Sequence, residues 1–338
     1  MAGSNERAVA FLLRQRTGRG RWEDFDTLAG ASTHWVTAYV ALALAQTGDP
    51  RALAAAHDAW SRLRRRRWRS AGWAFNGKVP PDADSTVWVM HLAAALDARI
   101  GRRTRRFLAR HLTPAGALAT YADAGRIRVF TKLQGHSFAG WCGPHTCVTA
   151  AGAGLASLPG RDRALEFLRA AQRPDGDWRA YWWESPYYAT TLAAEALADA
   201  GAPGDDARVQ RAARWTVGMV EGWGAAGASP FDQALALRTL LLAPETLPLA
   251  GRVLDTLTQG QHADGSWTPS ARLRIPPPQV TEPEAYTAWV EGGRGGGSVQ
   301  VDPRACFTTA TVLHALCAAE RRRAAPPSGS AARAPARR

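Results

Sequence analysis

The chain has 338 residues, 46% of them hydrophobic, and a formal charge of +13. That is apolar material for one large core or two small ones, while no stretch reaches the roughly 18 uninterrupted apolar residues of a membrane span and the scarcity of β-branched alternation excludes a sheet protein. The charge does not mark a nucleic-acid reader: it is concentrated in the run 62–69 and in Arg321, Arg322, Arg323, Arg333, Arg337 and Arg338, and neither group forms a groove-reading module.

In chain order, amphipathic arginine-bearing segments alternate with segments apolar on every face. Residues 7–14 are amphipathic. They precede the apolar helix opened by Thr33-His34-Trp35-Val36-Thr37-Ala38-Tyr39. Residues 52–63 precede Ser85-Thr86-Val87-Trp88, residues 102–111 precede His145-Thr146-Cys147, and residues 162–171 precede Tyr187-Tyr188. Residues 206–217 and 249–257 precede the helices opened by Phe231 and Phe307. A helix apolar all round is buried, and one with a polar face is half wetted. Six such alternations predict an all-α fold, an α/α toroid of six hairpins in two concentric rings, over residues 1–320.

Two stretches break the repeat. Residues 113–143, with an isolated Ile127-Arg128-Val129-Phe130, predict a connection with a short strand or lid. Residues 275–303 contain Pro276-Pro277-Pro278 and Gly295-Gly296-Gly297, which no helix tolerates. Both join an outer to an inner helix and so reach one rim. Residues 321–338 read as a disordered basic tail.

At the start of the second inner helix stands Pro80-Pro81-Asp82-Ala83-Asp84-Ser85-Thr86-Val87-Trp88. A carboxylate there can simply cap the helix. Two carboxyls in one low-dielectric site, however, do not both ionise readily, so one stays protonated and becomes a proton donor. The 14 tryptophans exceed ordinary usage, and Trp35, Tyr39, Trp88, Trp141, Tyr187, Tyr188, Phe231 and Phe307 fall at or near the same ends of inner helices. They make a candidate π wall for a cationic intermediate.

The turns Gln172-Arg173-Pro174-Asp175-Gly176-Asp177-Trp178 and Gln261-His262-Ala263-Asp264-Gly265-Ser266-Trp267 resemble the Gln-x-x-x-Gly-x-Trp motif of squalene-hopene cyclases and related class II terpene cyclases. Asp82-Ala83-Asp84-Ser85-Thr86 is similar to the Asp-x-Asp-Asp-Thr motif at which those enzymes protonate an alkene, with Ser85 where the family usually has Asp. The resemblance implies an isomerase that cyclises a polyprenyl substrate. Asp84 is then the proton donor, Asp82 the first motif carboxyl, and His145, opening the next inner helix, a hydrogen-bond donor beside Asp84.

The family implies no certain cofactor, although Mg2+ suits a diphosphate, which Lys78, Arg126, Arg128, Lys132 or Arg304 would meet at the rim. Class II cyclases also pair this barrel with a second one, so rim loops, a homodimer or a partner would have to close the cavity here. The basic balance adds peripheral contact with a membrane. Four cysteines without a disulfide pattern and no leader at Met1 point to the cytoplasm.

Two other classes stay open. Cys142, His145 and Cys147, with Asp82 or Asp84, resemble the zinc ligands of protein prenyltransferase β subunits and, around Trp141-Cys142-Gly143, of lanthipeptide cyclases. A non-catalytic toroid that binds a lipid is the third reading.

Overall fold

The computed structural model describes residues 2–66, 71–224 and 227–324. In chain order its helices are α1 (Ala2–Arg14), α2 (His34–Ala45), α3 (Pro50–Arg66), α4 (Ala83–Ala95), α5 (Arg102–Ala109), α6 (Gly125–Thr131), α7 (Thr146–Ala153), α8 (Arg161–Ala171), α9 (Pro186–Ala200), α10 (Asp205–Glu221), α11 (Pro230–Leu240), α12 (Leu247–Gln259) and α13 (Cys306–Ala324). The helices α2, α4, α7, α9, α11 and α13 pack each on the next, and α13 returns to α2, closing an inner ring. Burial follows the sequence pattern. Every residue of α2 from His34 to Leu44 is buried, whereas α12 buries only the stripe Leu249, Ala250, Val253, Leu254 and Leu257.

One tie recurs around the ring. Trp22, Trp73, Trp178 and Trp267 each donate the indole N–H to a carbonyl ten residues earlier, those of Leu12, Leu63, Leu168 and Leu257, at 2.6–2.8 Å. The main-chain N–H groups of Trp22, Trp73 and Trp178 donate in turn to the hydroxyls of Thr37, Thr86 and Thr190 on the following inner helix. Each tie thus satisfies a carbonyl in the last turn of an outer helix, or just beyond it, and pins the turn to the inner ring. Gln172 and Gln261 carry the tie sideways: their amides donate to the carbonyls of Arg208 and Ser4 on the neighbouring outer helices. The turns need glycine, because Gly176 (φ +111°) and Gly265 (φ +92°) lie in the left-handed region and a Cβ on either would strike a main-chain carbonyl, that of Arg211 or of Arg7.

The ends of the chain meet through Asp24. Its carboxylate accepts from the main-chain N–H groups of Arg304, Cys306 and Phe307 at the start of α13, as a cap does. Asp302 beside it accepts from Ser270, Ala271 and Thr308.

The structure differs from expectation in four places. Residues 127–130 are helical within α6, not a strand, and Ile127, Phe130 and Thr131 share the cavity side at helical spacing. The segment 275–303 contains structure: β3 (Arg272–Ile275) pairs antiparallel with β5 (Ser298–Val301), and β4 (Val290–Glu291) pairs parallel with β5. A separate hairpin, β1 (Asp24–Thr27) and β2 (Gly30–Ser32), precedes α2. Finally, α13 runs to Ala324, so Arg321, Arg322 and Arg323 form its last turn, where cations suit the helix dipole. The rest of the expected tail, 325–338, lies outside the described residues, as do Arg67 and Arg69.

Gly265→Ala is expected to destabilise the barrel by about 3 kcal/mol in urea unfolding, because it adds a clash to an unfavourable φ. Gly48→Ala, with φ +74° but nothing near its Cβ, is expected to cost only about 1 kcal/mol. Equal losses would show that the close approach of neighbouring hairpins contributes nothing.

Candidate active site

The two aspartates of the motif separate into different roles. Asp82 is the N-cap of α4, and its carboxylate is fully engaged: Oδ1 accepts from the Ser85 N–H at 2.7 Å, and Oδ2 from the Ser85 hydroxyl at 2.9 Å and the Phe75 N–H at 3.2 Å. Asp84, in the first turn, turns its carboxyl into a cavity of about 470 Å³ between the inner ring and the rim. Burial raises both carboxyls, Asp82 to about 7 and Asp84 to about 8. The hydrogen bonds to Asp82 hold it down, while the Asp82 charge pushes Asp84 up further. The Trp88 indole lowers Asp84 slightly without completing a hydrogen bond to it. At neutral pH Asp84 is therefore a neutral acid, its carboxyl in no hydrogen bond among the described residues, facing an apolar space. Ser85, standing where a third carboxyl was expected, completes the cap on Asp82.

His145 does not reach Asp84 with a hydrogen bond. Its Nδ1 accepts from the Thr120 N–H at 3.2 Å and pairs with the Thr120 hydroxyl at 2.7 Å, and its Nε2 pairs with the Gly140 carbonyl at 2.7 Å. It is fully buried, and burial lowers its pKa to about 4, so the ring is neutral. It acts instead as a peg for the rim: the Thr120 carbonyl accepts from Ala83 N–H at the start of α4, and Gly140 N–H donates to Pro278 in the other long loop. The Tyr181 hydroxyl and the Trp141 indole add bonds to Val280 and Pro276.

Of the eight aromatics expected to wall the cavity, Trp35 and Trp141 do so. Tyr39, Trp88, Tyr188, Phe231 and Phe307 are buried away from it, stacked or meeting edge-on with one another or with Trp183, which contacts residues of α2, α9, α11 and α13. Tyr187 packs outward against Trp215 and accepts from the Trp223 indole. The wall is completed by aromatics from connections, Phe75, Tyr121, Phe130 and Trp182.

The cations are redistributed too. Lys78, Arg126, Arg128, Lys132 and Arg304 do not line the cavity, and Arg304 pairs with Asp26 at 3.2 Å. Arg274 on β3 and Arg294 in the strap before β5 line it instead. Arg274 is buried, with one Nη on the Ala180 carbonyl, its Nε unpartnered and no carboxylate paired with it among the described residues.

The zinc reading loses its geometry. Both nitrogens of His145 are engaged, burial pushes the Cys142 and Cys147 thiols up to about 11, and no three metal-ligating side chains converge among the described residues. Among the described residues there is likewise no carboxylate cluster to hold Mg2+.

Comparison with known proteins follows the same lines. The squalene-hopene cyclase C-terminal domain profile matches residues 147–272. Labda-7,13-dienyl diphosphate synthase of Streptomyces clavuligerus is 33% identical over 189 residues, 53% of this chain and 33% of that protein, so the match spans about a third of the curated relative. A protein from Actinoplanes superposes with a TM-score of 0.88 at 40% identity, covering 94% of this chain and 99% of that one. The type II terpene cyclase MstE from Scytonema, in complex with geranylgeranyl dihydroxybenzoate as substrate, superposes with a TM-score of 0.89 at 35% identity over 95% of this chain and 97% of that one. MstE is also seen with merosterolic acid A as product.

The raised carboxyls give a signed pH dependence. Folding free energy from these groups is fully present below the ordinary aspartate pKa and is lost as pH rises through about 7 to 8, because only then must the fold hold buried charges. Infrared difference spectra of wild type against Asp84→Asn are expected to show a protonated carboxyl band that persists to near pH 8. In Asp82→Asn, which removes the neighbouring charge but keeps a capping side chain, the band is expected to vanish at lower pH. A band lost near pH 4 in wild type would contradict the assignment.

Proposed function

The chain belongs to the type II terpene cyclases, and we propose that it isomerises a polyprenylated compound by protonating an alkene at Asp84 and guiding the cation between aromatic faces. The observation that carries this reading is the neutral Asp84 carboxyl in a cavity walled by Trp35, Phe75, Tyr121, Trp141 and Trp182. A carboxylic acid protonates an alkene only where its neutral form is held and water is excluded. As the proton leaves, the new carboxylate meets the Trp88 indole N–H. The π faces stabilise the carbocation and offer it no lone pair that would trap it. A later proton loss from carbon balances the charge, so the product is an isomer of the substrate.

For the non-isoprenoid end we propose a single anion such as a carboxylate, held by Arg274 and Arg294. Arginine matches a carboxylate with a planar fork, and the cavity lacks the acidic ligand set that would share Mg2+ with a diphosphate. The dihydroxybenzoate head of the MstE substrate is of this type. The rim loops, pinned together through His145, Trp141 and Tyr181, wall the cavity opposite the first turns of the inner helices.

For the route of entry we propose a lipid surface. At the cavity mouth Leu28 (81% exposed), Phe130 (36%) and the adjacent Val129 (72%) stand out into solvent, with Arg126, Lys132 and Arg294 close by in sequence or at the cavity wall. This combination suits anionic lipid.

Given farnesyl and geranylgeranyl dihydroxybenzoates in D2O, the enzyme is expected to release cyclic isomers carrying one deuterium on carbon. Asp84→Asn is expected to lose at least about a hundredfold in rate. Substrate recovered bound but chemically unchanged from wild type would instead support a lipid-binding toroid. In sedimentation with phosphatidylglycerol-containing vesicles, Val129→Asp combined with Arg126→Glu is expected to reduce the bound fraction several-fold; unchanged binding would remove the mouth as the contact.

A further inference from the structure

Below the cavity lies a closed pile of aromatic rings. Trp183, 1% exposed, is at its centre. It stacks on Tyr188 (4.4 Å between centroids, 25°), Phe231 (5.2 Å, 25°) and Phe307 (5.2 Å, 27°), and meets Phe25 edge-on at 6.0 Å. Only one layer separates it from the cavity: Trp35, which lines the cavity, packs on Trp183 at 5.9 Å, and Leu273, also lining it, is bridged to Trp183 through the main chain. The acid is joined to the same pile through Trp88, one turn along α4, which meets Tyr39 edge-on at 4.7 Å, Tyr39 in turn stacking on Phe307 at 4.0 Å.

We propose that this pile, centred on Trp183, is a back-stop that selects which alkene of the substrate meets Asp84. The proposal rests on the reading of Asp84 as proton donor. Each trisubstituted alkene of a polyprenyl chain gives a tertiary cation on protonation, so the acid has little intrinsic preference for the terminal one. The choice has to be made by where the chain stops.

With the pile in place, the last isoprene unit halts beside Asp84. The acid O–H bond breaks, its proton forms a C–H bond with the less substituted alkene carbon, and the positive charge is left on the dimethyl carbon. The next alkene then closes a C–C bond, the last cation gives a proton from a neighbouring carbon to water at the open rim, and the Asp84 carboxylate takes up a proton from solvent, which restores the acid. Without the pile, the chain slides deeper and an internal alkene takes the proton.

Trp183 suits a stop because no barrel helix carries it. It lies on the connection between α8 and α9, whose flanking residues are fixed to β3: Arg274 N–H donates to Trp182 and Glu184 N–H to Arg272. A rigid flat ring gives a sharper stop than aliphatic side chains, which repack around an intruding chain.

The test uses the full chain with geranylgeranyl dihydroxybenzoate and its analogue one isoprene longer, in D2O, with the deuterium located by NMR. Wild type is expected to label only the ring that bears the terminal dimethyl carbon and to turn over the longer analogue poorly. Trp183→Leu and Trp183→Ala are expected to raise turnover of the longer analogue relative to the shorter by at least tenfold and to yield products with an uncyclised terminal unit and internal deuterium. Trp183→Phe is expected to stay close to wild type.

Folded Trp183→Leu with only terminal label and unchanged chain preference would overturn the back-stop. Should that variant not fold, Phe307→Leu, which loosens the same pile, is read by the same criterion. Label anywhere that disappears in Asp84→Asn reports on the donor, and the position of label reports on the back-stop, so the two fail separately; no label in wild type removes both.

Discussion

A carboxyl group held neutral in an apolar hollow is the condition on which this molecule turns. Asp84 meets it because it is desolvated and because a second carboxyl, Asp82, stands two residues away. What separates the pair is hydrogen bonding. Asp82 accepts from Ser85 and Phe75 and is the natural home for charge, while Asp84 accepts nothing of comparable strength. A capping residue and the proposed proton donor thus arise from the same short sequence, and the cap is part of what keeps Asp84 protonated. The reading of these residues as an ordinary helix cap is right for one of them and wrong for the other.

The barrel supports this state by leaving little polar main chain loose near the hollow. The carbonyls where outer helices end are met by tryptophan indoles, and the turns that follow are met by threonine hydroxyls of the next inner helix. At the junction before the third inner helix, α7, the pattern shifts, and the difference is informative. There Leu118 stands where other turns have Trp, although its N–H still donates to Thr149 at 2.8 Å. The freed side serves the site: two residues on, Thr120 lines the cavity, and its hydroxyl accepts the Trp182 indole N–H at 2.7 Å.

The fold was legible because it repeats. Apolar helices such as residues 34–44 have one physical explanation, burial on every side, and Gly176 and Gly265 fall where a Cβ would collide. The acidic pair was legible because charge at the mouth of an apolar helix breaks the local rule. Side-chain direction was not. Tyr39, Tyr188, Phe231 and Phe307 do open inner helices, but they pack against one another and against Trp183, which arrives from a connection. His145 is on the neighbouring inner helix as expected, yet Thr120, from a loop 25 residues upstream, occupies its Nδ1. Gly20-Arg21-Trp22 lacks the glutamine of the complete motifs, with Arg16 in its place, yet its indole makes the same tie.

These misses share a cause, and it says how such a barrel acquires chemistry. The repeated part is bound by its own closure: each inner helix must fit two neighbours, so its side chains are committed to packing. The connections carry no such obligation, and they supply Phe75, Tyr121, Trp182, Arg274 and Arg294 to the cavity. Only Asp84, Ser85 and Trp35 come to it from the first turns of inner helices, where the helix still faces the rim. On the proposed reading, the ring fixes Asp84 rigidly, as a donor needs, while substrate shape and head group fall to segments free to change without unpicking the ring.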